Sequence, residues 1–387
     1  MRSILALRAK GLVLPSIQTS VVRAFRSLGV AVFDTPSPET EEDLTEFAET
    51  AKTGKWDAIF SVDLWGSQCL ATSFREIQNL LKIPWIVWFV DDPEGYGFPQ
   101  LCDPCWTLAF CWDKAILGLY DSWDGWPVTH LPLATDPSLF RMKPSGHQPL
   151  FPGGVFVGST AHGNQLLDSV AEDLQDLDGE VARLWQAYSK DLLQSPHSLA
   201  WSEATRLSQL PKDVLERDPL WKLWVMACVR QLGIRKRSEL VCRSLGNGSA
   251  VFGDEGWRDK VGPEIYRGPV PYGDEVCEIY NRSAFVLDVR QPQSRSGLTQ
   301  RVYDGSACGR SVITEWSSEL PELFDVDKEL FFFRNLEECL EVKERCLREP
   351  EEARERGERA MARVLSQHTY LHRARRIMEE YARYRAL

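Results

Sequence analysis

Residues 297–324 read GLTQRVYDGSACGRSVITEWSSELPELF. Gly297 opens the stretch, and Arg301 and Asp304 follow at helical spacing. Cys308-Gly309 ends that predicted helix, and residues 311–314 form a short apolar strand before a polar loop and a second helix start. A glycine ahead of a helix lets backbone N–H groups approach an anion, and the helix dipole favours negative charge there. An arginine in the first turns adds a bidentate clamp on phosphate. An acidic side chain on the same helix can accept two ribose hydroxyls. Many strand–helix units carry these residue types for packing and solubility alone, so the surrounding chain has to decide.

Outward from this stretch, SAFVLDV (283–289) precedes it and LFFF (330–333) follows it, both reading as strands. SAVFGDEGW (249–257) and GGVFVGST (153–160) extend the series towards the N-terminus. The first half repeats the pattern with SILAL (3–7), VAVF (30–33), WDAIFSVD (56–63), IPWIVWFVDDP (83–93), TLAFCW (107–112) and VTHLPLATD (128–136). Between these runs lie helical patterns: one ending near Leu28 with Gly29 as its stop, a solvated acidic one over 39–49, and one running to Leu81. Continuous apolar strands separated by helices predict parallel sheets buried on both faces. The expected fold is therefore α/β, with two doubly wound Rossmann-like domains.

Expected boundaries are 1–140 for the first domain, 141–152 for a Pro-rich polar linker and 153–350 for the second domain, with a helical segment at about 165–245. Helices over 351–387 complete the chain. Leu220, Trp221, Leu223, Trp224 and Met226 lie in the helical segment at a spacing that suits core packing. In parallel sheets ligands sit beyond the carboxyl ends of strands. That singles out Asp63, Asp91 and Asp92 in the first half. In the second it singles out Gly158-Ser159, Gly253-Asp254 and the segment from Asp288 to Gly297. Two such edges facing each other would make an interdomain cleft.

The bulk numbers narrow the function. With 387 residues, 43% hydrophobic and 26% charged, the chain has ordinary globular composition and enough length for two cores. A formal net charge of -11 argues against a nucleic-acid backbone as partner. No apolar run approaches the roughly 18 residues of a membrane-spanning helix, and the N-terminus reads as a first strand rather than a secretion signal. Among ten cysteines, Cys102 and Cys105 make one CxxC near Cys111, but no second half completes a zinc site. Idle cytosolic thiols are the expected reading, and the expected location is cytoplasmic.

Several stretches together resemble the CgeB-like (spore maturation protein type) glycosyltransferases. They are VGST (157–160), VFGDEGW (251–257), Arg267-Gly-Pro-Val270 followed by Tyr280-Asn281, residues 297–314, LPELF (320–324) and HTYLHR (368–373). In the first half the matches are WFVDDP (88–93) and LPLATDPSLF (131–140). The resemblance spans nearly the whole chain, more weakly over 1–80 and 165–245. It implies a GT-B architecture and transfer of a sugar, from a UDP-sugar, to a protein, lipid-linked or polymer glycan acceptor held by the first domain. It also implies C-terminal helices that cross back to that domain, with His368, Thr369 and Arg373 as hinge and packing residues.

The resemblance assigns roles by position. Gly297, Leu298 and Thr299 would present backbone N–H groups to the diphosphate, and Arg301 would neutralise the leaving phosphate. Asp304 stands where the family more often has glutamate and would accept the ribose. Val270, Pro271 and Tyr272 would line the base, and Gly158 and Ser159 would approach the phosphates. Tyr280 would pack or stack, with packing favoured. Retaining relatives often carry two glutamates eight apart; here those positions are Ser296 and Asp304, so the stereochemical outcome is not legible. Asp91 or Asp92 is the expected base for an inverting reaction, although an Asp-Pro pair also caps turns. His130 is a lesser candidate, and His162 follows the VGST turn.

Asp325 and Asp327 form a DxD in an acidic loop where solvated charge is expected. No metal and no cofactor are expected, because GT-B enzymes usually manage the leaving group with helix dipoles and basic side chains. Tryptophans 56, 65, 85, 88, 106, 112, 123 and 126 would suit sugar stacking, with core filling accounting for most. Two rival functions use the same donor site. One is a GT-B sugar-nucleotide epimerase or hydrolase, and the other a non-catalytic nucleotide-sugar or glycan-binding protein.

Overall fold

The computed structural model describes residues 1–63, 68–91, 93, 102–120, 128–144, 149–160, 233–291 and 294–386. The chain divides into a first unit, Met1–Ser138 with Val364–Leu387, and a second, Leu139–Arg363. Most of the expected helical segment, His162, Asp92 and Trp65, Trp123 and Trp126 lie outside the described residues.

Strands β1 (Ser3–Leu7), β2 (Ala31–Thr35), β3 (Ala58–Val62), β4 (Trp85–Phe89), β5 (Thr107–Cys111) and β6 (Val128–His130) form a sheet in the order β2-β1-β3-β4-β5-β6. Every pairing is parallel. β3, β4 and β5 are buried along their whole length, whereas the edge strands β2 and β6 are partly open, as expected for a sheet covered on both faces. Helices α1 (Leu14–Ser27), α2 (Glu41–Thr53), α3 (Gln68–Leu81) and α4 (Lys114–Tyr120) fill the crossovers. α1 carries Pro15 in its first turn and buries Ile17, Val21 and Phe25 at helical spacing. α2 starts with a capping box between Thr40 and Asp43, which explains why a mostly solvated acidic run is helical. Trp85, Trp88 and Trp112 are core residues.

The second sheet contains β7 (Val155–Val157), β8 (Ala250–Phe252), β9 (Phe285–Asp288), β10 (Ser311–Glu315) and β11 (Phe331–Phe333), again all parallel, in the order β11-β10-β9-β7-β8. Its described helices of eight or more residues are α5 (233–244), α6 (Asp274–Asn281), α7 (Gln300–Ala307), α8 (Leu336–Arg348) and α9 (Pro350–Gln367). Its core gathers Phe156, Leu240, Trp257, Phe285, Ile313 and Phe331. Tyr280 is buried beside Phe140, a packing role. The last helix, α10 (Tyr370–Tyr384), belongs to the first unit and packs on α1. Arg373 holds it there by donating to the carbonyls of Pro132 (2.6 Å) and Leu133 (2.7 Å), and to Nδ1 of His368 at 3.0 Å.

Strand order decides where a ligand goes. In both sheets the chain runs outward in one direction, then returns to the middle and runs the other way. In the second unit that reversal lies between β7 and β9. Crevices at such reversals, beyond the carboxyl ends of the strands, are the usual ligand sites of open α/β sheets.

Candidate functional site

At the β7/β9 reversal, Asp288 ends β9 with no exposed surface. One carboxylate oxygen accepts from Arg301 Nε at 2.9 Å and Thr299 Oγ1 at 2.5 Å, and the other from Thr314 Oγ1 at 2.8 Å. Arg301 also donates to the carbonyls of Val157 (3.2 Å) and Val289 (3.0 Å). This arginine therefore ties the first turn of α7 to the ends of β7 and β9. Leu298 and Thr299 are buried, and Thr299 is the N-cap of α7 but gives its hydroxyl to Asp288. Gly297 precedes them, its carbonyl accepting from Ser294 Oγ at 2.7 Å. The first turn of a helix carries backbone N–H groups with no intrahelical partner, together with the positive end of the dipole.

Gly158 follows β7. A Cβ added there would lie 2.5 Å from Nη2 of Arg237 and 3.1 Å from Nη1 of Arg301, so only glycine leaves both guanidinium groups their places. Both also lie over the Phe156 ring, each 5.1 Å from its centroid. Arg237, on α5, was not singled out in the sequence. It sits 78 positions from Ser159, whose carbonyl it meets at 2.8 Å, and no local motif announces it. Burial, and then the charge of Arg301, pull its pKa down to about 9. It remains a cation at neutral pH.

The neighbouring side chains have definite partners. The Ser159 hydroxyl is bonded to Asp254, which also accepts from the N–H groups of Thr160 (2.7 Å) and Gly256 (3.0 Å). Burial alone would raise the Asp254 carboxyl, but these hydrogen bonds outweigh it and hold the group below the usual carboxylate range. Trp257 Nε1 donates to the Gly158 carbonyl at 2.6 Å. Asp304, almost fully buried, accepts from the Tyr272 hydroxyl at 2.6 Å and from Gln300 Nε2 at 3.1 Å. Tyr272 thus reaches Asp304 itself and stacks obliquely on Phe140, 5.2 Å away, while Val270 is half-buried. At Ser296, where no carboxylate was read, the hydroxyl donates to buried Glu319 at 2.6 Å.

In the first unit, Asp91 lies half-buried just beyond β4. Asp63, at the end of β3, has a left-handed φ of 54°, uncommon outside glycine though best tolerated by Asn and Asp. Its Oδ1 accepts from the N–H groups of Val90 (2.9 Å) and Asp91 (3.4 Å), and its buried Oδ2 has no hydrogen-bond partner among the described residues. Burial, and then the charge of Asp91, push the Asp63 carboxyl well above its ordinary 3.8. The folded protein therefore holds a proton that the unfolded chain releases, and stability falls as pH rises from 3.8 through the raised value. Asp63→Asn keeps the oxygen acceptor without the charge. In thermal melts at pH 5, 7 and 9, its stability relative to wild type should improve as pH rises. A gap that stays constant would rule the assignment out.

Other candidates resolve locally. Asp325 is paired with Lys328 at 3.2 Å, and no group of three possible metal ligands occurs among the described residues. Cys102, Cys105 and Cys111 form no disulfide among the described residues, and His130 lies on edge strand β6. No described helix is long and apolar enough to cross a membrane.

Residues 227–379 match the Glycosyl transferase-like family. No curated protein matches the chain in sequence. Among solved structures, Anabaena HepE in complex with UDP aligns with a TM-score of 0.54 at 8% identity, over 99% of this chain and 100% of HepE. Sucrose-phosphate synthase from Thermosynechococcus elongatus gives 0.54 at 12% identity over 100% of both chains. T4 phage BGT in complex with its UDP-glucose substrate gives 0.54 at 8% identity over 99% of both. These likenesses establish the fold as the GT-B architecture of two parallel-sheet α/β units.

Proposed function

We propose that the chain is a CgeB-like glycosyltransferase that moves a sugar from a nucleoside diphosphate to an acceptor hydroxyl. The observation that carries this reading is the set of cationic and N–H donors gathered at the β7/β9 reversal, namely the start of α7, Arg301 and Arg237, beside Gly158, whose missing Cβ leaves the guanidinium groups room. As a glycosidic bond breaks, negative charge collects on the departing nucleotide, and donors fixed in advance at that place lower the barrier. The reading calls for no metal or cofactor, because these groups already supply positive charge.

UDP-sugar is the favoured donor, since HepE and T4 phage BGT are described with UDP or UDP-glucose. Gly297, Leu298 and Thr299 would meet the diphosphate with Gly158 and Ser159. Asp304 would accept the ribose, exchanging its bonds from Tyr272 and Gln300 for sugar hydroxyls, with Val270 beside the base. Asp91 or Asp92 would take the acceptor's proton. The acceptor is a protein, a lipid-linked sugar or a polymer glycan, held by the first unit, and the site of action is cytoplasmic.

Thermal-shift titration with UDP, GDP, dTDP, ADP and CMP tests the donor site. UDP at about 100 times its dissociation constant should stabilise the protein by roughly 2.7 kcal/mol. Asp304→Ala should weaken UDP by about 10-fold while leaving inorganic pyrophosphate unchanged. Silence from every nucleotide sinks the donor reading. Product analysis then separates the enzymes: transfer requires an acceptor, epimerisation and hydrolysis do not, and a binding protein yields neither.

A further inference from the structure

We propose that the side chain that grips the donor's diphosphate is Arg237, and that Arg301, the arginine that sequence singles out, is its positioning partner. The inference rests on the donor-site reading. Arg301 is spoken for: its three nitrogens meet Asp288, Val157 and Val289, and the Asp288 carboxylate balances its charge. Arg237 is in the opposite condition. It is 5% exposed, Nη1 donates to the Ser159 carbonyl, and the guanidinium lies over the Phe156 ring. Nε and Nη2 are buried and have no hydrogen-bond partner among the described residues.

Those two atoms form one edge of the guanidinium, the side-on fork whose parallel N–H groups match two oxygens of a phosphate. The nearby carboxylates do not meet this fork. Asp288 is engaged by Arg301, Thr299 and Thr314, and Asp254 by Ser159, Thr160 and Gly256. Gly158 has no Cβ, and that absence leaves Nη2 its place. A buried cation with unmet donors is costly unless an anion joins it. The place where this one waits is the end of β7, at the reversal where α7 begins nearby. Arg301, through the Val157 carbonyl, fixes the backbone that carries Gly158. A dianionic ligand with a two-oxygen face, the diphosphate of a nucleotide, fits this fork.

The test is calorimetric titration of wild type, Arg237→Gln and Arg237→Lys with UDP, GDP, dTDP and ADP, their nucleosides, and inorganic pyrophosphate. For the nucleotide that binds wild type, Arg237→Gln should lose about 10- to 100-fold in affinity. Arg237→Lys, which keeps charge without the fork, should lose less. Nucleoside affinity should not change, and the unfolding midpoint of Arg237→Gln should not fall. Unchanged diphosphate affinity in Arg237→Gln, with wild type binding, would overturn the inference and leave the donor reading standing. So would an equal loss for the nucleoside, or a variant that does not fold, since either makes Arg237 a structural residue. If wild type binds no diphosphate and no pyrophosphate, the donor reading falls and the inference with it.

Discussion

Arg301→Ala is expected to destabilise the second unit by about 3–5 kcal/mol, read as a lower midpoint in urea unfolding. The substitution strands Asp288, which has no exposed surface and would keep only the Thr299 and Thr314 hydroxyls as partners. It also leaves the carbonyls of Val157 and Val289 without the donor that meets them. An uncompensated buried carboxylate is the larger part of this penalty, which gives a second check. The double variant Arg301→Met with Asp288→Asn should be more stable than Arg301→Ala, because no lone charge remains. A loss below about 1 kcal/mol for Arg301→Ala would show that the pair is not carrying the strand ends. Any activity lost in that variant reports the fold first. A phosphate-clamping role is therefore better examined at Arg237, where the burden of an unmatched charge is lifted rather than imposed by substitution.

Trp257→Ala should have an effect of similar size, about 3–5 kcal/mol. The indole is fully buried and packs edge-on against Phe156, with ring centroids 5.4 Å apart. Removing it opens a cavity beneath the same ring on which Arg237 and Arg301 lie. It also removes the donor to the Gly158 carbonyl. Gly253 shows how tight this corner is, since a Cβ there would lie 2.2 Å from that carbonyl oxygen. Trp257→Phe separates the two contributions: it restores most of the packing without the N–H, and should cost about 1–3 kcal/mol. Nucleotide affinity should fall in both variants, because Gly158 is the backbone that leaves room for the guanidinium groups. Urea unfolding and nucleotide titration on the same samples test this. Normal affinity in a destabilised Trp257→Phe would detach the tryptophan from the site.

Much of this molecule is legible in one dimension. Apolar runs such as AIFSV and WIVWF, each bounded by helical patterns, can only be strands covered on both faces, and they are. Strand ends follow from where those runs stop, so Gly158, Asp288 and Asp91 were all reached by reading alone. The acidic helix over 39–49 and the helix after Gly297 were legible too, although their starts, the capping box at Thr40 and the N-cap at Thr299, emerged with the structure.

What the sequence left open depends on contacts between distant segments. Arg301 in a first helical turn predicts a phosphate clamp, but the identity of its partner depends on β9 lying beside β7, and sheet order is a property of packing. Tyr272 meets Asp304 across 32 positions, and Arg237 meets Ser159 across 78. Asp63 is set apart from Asp288, another buried strand-ending aspartate, by its left-handed backbone and by a carboxyl oxygen with no hydrogen-bond partner among the described residues. Periodicity and propensity act over a few residues, so one sequence fixes the elements and their ends. Charge compensation and desolvation act through space. Which arginine is satisfied and which is left wanting an anion was therefore decided only when β7, β9, α5 and α7 came together.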